Sequence, residues 1–72
     1  MRTAEKVILY TAPNCGTSDR ARAGLLAEGV DLEERDVMKS KAWFDEALTY
    51  SIFVPIILRG GKVELGWKGA FG

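Results

Sequence analysis

The stretch VILYTAPNCGTS, residues 7–18, decides how the rest of the chain is read. Val7, Ile8, Leu9 and Tyr10 form a continuous apolar run of β-formers, the pattern of a strand buried on both faces inside an α/β sheet. Thr11-Ala12-Pro13-Asn14 is a turn cluster. A helical pattern then covers 17–28: Ala21, Leu25 and Leu26 share a face, while Arg20, Arg22 and Glu28 reach water. Thr17, Ser18 or Asp19 is placed to cap the start, and Gly29 to end the helix. Cys15 therefore lies at a strand-to-helix corner, a place where a thiol often serves as a nucleophile. Position 18, where a second cysteine would complete a C-x-x-C pair, is serine.

Outward from this corner, residues 30–37 are densely charged, which suits an exposed edge strand that resists further pairing. Ser40 opens a second helix, with Trp43, Phe44, Ala47 and Leu48 as its apolar positions. Residues 53–58, Phe-Val-Pro-Ile-Ile-Leu, read as a strand with Pro55 at its entry, where no ladder N–H is lost. Arg59-Gly60-Gly61-Lys62 is a hairpin turn, because Gly-Gly accepts the positive φ angles it needs, and Val63-Glu64-Leu65 alternates as the return strand. The order βαβαββ predicts one α/β domain over 1–72, with a four-stranded mixed sheet, a right-handed parallel βαβ unit and a terminal hairpin.

Composition narrows the function. Seventy-two residues hold one small core. One cysteine excludes an internal disulfide, and the lack of histidine argues against an all-protein zinc site. Ten basic and ten acidic residues balance, with no Lys/Arg cluster of the kind that grips nucleic acid. With no leader pattern and no long apolar run, the expectation is a soluble, cytoplasmic protein with no membrane partner.

Three motifs together resemble the glutaredoxin branch of the thioredoxin-like fold: VILYTAPNCGTS as first strand and redox loop, FVPI (53–56) as the Val-Pro segment, and ILRGGKVELG (57–66) as the terminal hairpin. The resemblance implies a cis proline at Pro55 beside a nucleophilic Cys15, supported by Gly16, Thr17 and Ser18. The thiolate is the reactive form. A helix N-terminus, with its free N–H groups and positive dipole end, favours it, and Arg20 and Arg22 add positive charge that Asp19 partly opposes. Val54 is expected to present its backbone N–H and C=O to an extended substrate. Val54, Pro55, Gly66 and Trp67 would line the glutathione or substrate site. Where glutathione-using relatives carry Gly-Gly-x-Asp-Asp, this chain reads Gly66-Trp67-Lys68-Gly69-Ala70, and GWKGAF instead resembles the tail of NrdH-type redoxins.

The implied activity is thiol–disulfide exchange by a monothiol C-x-x-S mechanism on glutathionylated or disulfide-containing proteins, with glutathione as co-substrate. One alternative is carriage of a [2Fe–2S] cluster between two chains and two glutathiones, Cys15 being the ligand. Another is a redox-silent interaction module, in which Cys15 is an inert small hydrophobe and Ser18 only a helix cap. Trp67 reads as core or interface more readily than as a ligand platform, and Tyr10 as packing near Cys15. The chain reaches Gly72 where relatives continue into a third helix, so that helix is expected to be short or missing. The sheet face left open then offers a surface for a homodimer.

Overall fold

The computed structural model describes residues 5–70. Its elements are β1 (Lys6–Thr11), α1 (Gly16–Ala27), β2 (Asp31–Asp36), α2 (Lys41–Leu48), β3 (Ile56–Arg59) and β4 (Lys62–Leu65). The strands form one sheet in the order β2-β1-β3-β4. β1 runs parallel to β2 and antiparallel to β3, and β3 pairs antiparallel with β4. This is the mixed sheet, βαβ unit and terminal hairpin that the motif order predicts, with the charged β2 at one edge. The third-helix expectation lies outside the described residues.

Alternation along β1 builds a core on each face of the sheet. Val7 and Leu9 meet Ala21 and Leu25 of α1 and Ile57 of β3, with Val30, Leu32 and Trp67 packed around them. Tyr10 joins Val37, Ala47 of α2 and Ile56 on the other face, with Ile8, Ala12, Val54 and Leu58 at the margin. Leu26, expected beside Leu25, is 56 % exposed; one residue is a 100° step around the helix, and Thr17, Ser18 and Ala21 complete the buried face instead. In α2 only Ala47 is buried, while Phe44 and Leu48 lie open. Polar contacts hold this helix: Tyr10 donates its hydroxyl hydrogen to Glu46 at 2.8 Å, and Arg35 of β2 donates to the same carboxylate oxygen at 2.6 Å. Burial, then the Glu46 carboxylate, raises the Tyr10 phenol above its ordinary pKa, so it remains the donor.

The strand predicted from Phe53 begins only at Ile56, because 52–54 form a bend before the cis Val54–Pro55 bond. Gly60 and Gly61, at φ 54° and 79°, turn the hairpin. β4 alternates in register with β3, but all four of its residues are exposed.

A second polar clamp ties α1 to β2. Arg22 donates twice to Glu34, at 2.6 Å each, and Thr11 of the central strand donates to Glu34 at 2.9 Å. The Arg22 hydrogen bonds, more than offsetting burial and helped by Thr11, hold the Glu34 carboxyl below its ordinary range. A depressed carboxyl contributes stability that is complete above its unfolded pKa and lost as pH falls through the folded one. Urea midpoints measured between about pH 6 and pH 3 are therefore expected to fall less steeply in Glu34→Gln than in the parent. Parallel curves would show that the clamp contributes nothing to the acid limb.

Candidate active site

The sheet topology gathers the candidate residues. Tyr10 pairs with Ile56 at the end of β1 and the start of β3, and Ile56 pairs with Leu65 at the end of β4. The loop to Cys15, the Val54–Pro55 segment and the Gly66–Trp67 segment therefore emerge from the same end of the sheet. A hydrogen bond joins two of them directly, the Gly66 N–H donating to the Pro55 carbonyl at 2.8 Å.

Asn14 makes the corner, with φ at 59°, a left-handed conformation that asparagine tolerates. Cys15 is the N-cap of α1, a role expected of Thr17, Ser18 or Asp19. Its sulfur accepts the Ser18 N–H at 3.3 Å, one of the helix-start donors without an intrahelical carbonyl. The cap falls here because the helix begins at Gly16, one residue earlier than the periodicity indicates. Cys15 as a whole is buried, at 8 % exposed. The Ser18 side chain is fully buried, and among the described residues its hydroxyl has no hydrogen-bond partner. Ser18 thus reaches the sulfur through its backbone, not its side chain.

The two arginines differ in role. Arg20 folds back over the first turn and donates to Thr17 Oγ1 at 3.0 Å, its guanidinium lying near Gly16. Among the described residues it pairs with no carboxylate. Arg22, expected to add charge beside the sulfur, is instead held by Glu34 and by Asp19 at 2.9 Å. Tyr10 is a packing residue, as expected: it lies in the cluster with Val37 and Ala47 and directs its hydroxyl at Glu46, sharing strand parity with Ile8, not Leu9.

On the other flank, Val54 is half-buried, and among the described residues its backbone N–H and C=O make no hydrogen bond. The neighbouring Ile52 and Phe53 expose apolar surface, at 78 % and 53 %. Gly66 is buried at φ 79°, with its N–H committed to Pro55. The Trp67 indole lies on α1 at Gly24, where an added Cβ would stand 2.8 Å from Cη2 and closer still to Cζ2. The core reading of this side chain is the one its packing supports. Residues 67–70 close a tight turn through paired bonds between Trp67 and Ala70 at 2.8 and 3.0 Å, with Lys68 and Gly69 at φ 51° and 86° and the Lys68 ammonium 5.5 Å from the Trp67 ring. Sequence reasoning missed this turn and the indole's seat. The signals were Lys-Gly after a strand and an isolated glycine inside a helix, which commonly has a packing reason.

Among the described residues no three His, Cys, Asp or Glu side chains gather as a metal site. With one cysteine in the chain, an iron–sulfur cluster needs thiolates from outside it. No helix among the described residues is long and apolar enough to cross a membrane.

The family model described as Glutaredoxin matches residues 7–64. The crystal structure of the glutaredoxin (grx-1) from Archaeoglobus fulgidus superposes with a TM-score of 0.73 at 25 % identity, over 89 % of this chain and 77 % of that one. No curated protein matches the chain at a significant level.

Proposed function

This chain belongs to the glutaredoxin family, and from that premise we propose that it is a cytoplasmic thiol–disulfide oxidoreductase working through Cys15 alone. The observation that carries the reading is the Cys15 sulfur capping α1 and accepting the Ser18 N–H, at the sheet end it shares with the open Val54 backbone. The helix terminus offers free N–H groups and the positive end of its dipole to the sulfur during exchange.

The Cys15 thiolate attacks one sulfur of a protein–glutathione mixed disulfide. A bond forms between Cys15 and the glutathione sulfur, the original S–S bond breaks, and the protein leaves as a thiolate that takes up a proton. A second glutathione thiolate then attacks the Cys15 mixed disulfide, releasing oxidised glutathione and restoring Cys15. The Val54 N–H and C=O pair with the extended substrate, as a strand adds to a sheet edge. Gly66 holds the proline segment, Trp67 seats the tail turn, and Ile52 and Phe53 offer apolar contact to a protein substrate.

The test mixes reduced protein with a glutathionylated peptide and follows intact masses with time. A transient adduct of one glutathionyl group on Cys15, with peptide thiol released faster than in buffer, is the expected result. Release at the buffer rate, with no adduct, overturns the reading.

A further inference from the structure

The two edges of the sheet are built differently. At the β2 edge, antiparallel pairing with a second copy in any register centred within the strand sets like charges opposite one another. Each register brings at least one like-charged pair together: Asp31 and Glu33, Glu34 and Asp36, or one of the residues 31 and 33–36 against itself, though the registers at Glu33 and Glu34 also set Arg35 against Asp31 or Glu33. Directly opposed like charges disfavour pairing, so this edge is protected. β4 lacks that protection. All four residues are exposed, Val63 and Leu65 at 47 % each, and they continue the apolar rows of Leu58 and Ile56 across the sheet.

The hairpin sets which backbone groups face outward. Gly60–Gly61 is a two-residue turn between Arg59 and Lys62, which closes with a hydrogen bond between those residues. In an antiparallel ladder the bonding direction alternates, so Val63 and Leu65 turn their N–H and C=O away from β3, toward the open edge. A second β4 related by a twofold axis normal to the sheet keeps each side chain on its own face only when the axis passes through a residue. An axis at Glu64 sets Glu64 against Glu64 of the second copy. An axis at Val63 sets Lys62 against Glu64 of the second copy, twice, and makes Val63 opposite Val63 a hydrogen-bonded pair exchanging two backbone bonds. Charge complementarity and bond direction select the same register. The balanced composition, ten basic and ten acidic residues, adds no net repulsion between copies.

We propose that the β4 edge is a self-association surface, on which a second copy of this chain pairs antiparallel about Val63 with reciprocal Lys62–Glu64 contacts, extending the sheet to eight strands. The short ladder makes the dimer concentration-dependent. It leaves the Cys15 end of each copy accessible, since none of the pairing residues belongs to the proposed redox site.

Sedimentation equilibrium from micromolar to millimolar protein tests it, with Cys15→Ser used throughout so that no disulfide contributes. The expected mass rises from monomer toward dimer. Lys62→Glu and Glu64→Lys each weaken association about tenfold, by converting two attractive pairs to repulsive ones, and the double exchange Lys62→Glu/Glu64→Lys restores it. A second measurement uses Val63→Cys in the same background. The Cα separation of about 5.5 Å in a hydrogen-bonded pair lies within disulfide range, so it is expected to cross-link under mild oxidation much faster than Glu64→Cys. A monomer at every concentration, single variants that associate like the parent, a charge exchange that fails to restore, or equal cross-linking at the two positions would each overturn the proposal. Peptide deglutathionylation by the charge variants with Cys15 intact is expected to match that of the parent, so the redox reading and this one fail separately.

Discussion

Cys15→Ser is expected to reduce deglutathionylation to the rate seen without protein, while Ser18→Ala keeps it within about twofold of the parent. The first expectation follows from nucleophile chemistry: a serine hydroxyl does not displace thiolate from a disulfide, and the chain holds no second cysteine to take over. The second follows from the atom that makes the contact. The Ser18 backbone N–H, not its hydroxyl, donates to the Cys15 sulfur at 3.3 Å, and Ser18→Ala leaves that bond in place. The hydroxyl is buried without a partner, so its removal is expected to leave stability unchanged or raise it by up to about 1 kcal/mol. Initial rates on one glutathionylated peptide, with urea unfolding of each variant, check both. A tenfold loss in Ser18→Ala would move the chemistry onto the hydroxyl and contradict the backbone assignment.

Gly24→Ala is expected to destabilise the domain, although alanine is the better helix former. In an exposed helix interior the exchange gains about 1 kcal/mol. Here the new methyl meets the Trp67 ring, 2.8 Å from Cη2, and the ring is packed against the Val7, Leu9 and Leu25 core. Overpacking of this kind costs about 1–3 kcal/mol. The net loss is expected to reach up to about 2 kcal/mol, lowering Tm by up to about 15 °C in a domain of this size. Trp67→Ala alone is expected to cost about 2–4 kcal/mol, since the indole is only partly buried. In that background the clash is gone, and Gly24→Ala is expected to become neutral or stabilising. This change of sign is a coupling that a double-mutant cycle reads directly. If Gly24→Ala has the same effect with and without the indole, the contact is energetically silent.

These cases mark the division between sequence and structure. The strand at 7–10, the corner at Cys15, the Ser40 cap and the Gly60–Gly61 turn depend on neighbours within a few residues. Local steric and hydrogen-bonding rules therefore recover them from the sequence, along with the order of elements and the charged edge at β2. The exposure of Leu26, Phe44 and Leu48 is not legible in the pattern, because periodicity states which residues share a face. It does not state how far the opposing surface extends.

The assignment of Arg22 to Glu34 rather than to the sulfur, of Tyr10 to Glu46, of Trp67 to Gly24 and of the Pro55 carbonyl to the Gly66 N–H all join residues distant in the chain. Only the paired sheet brings them together. The sequence by itself determined the α/β order, the position of the single thiol and the serine three residues beyond it. The tertiary structure decided which atoms surround that thiol, because hydrogen-bond partners and ring contacts depend on separations in space that chain spacing does not encode.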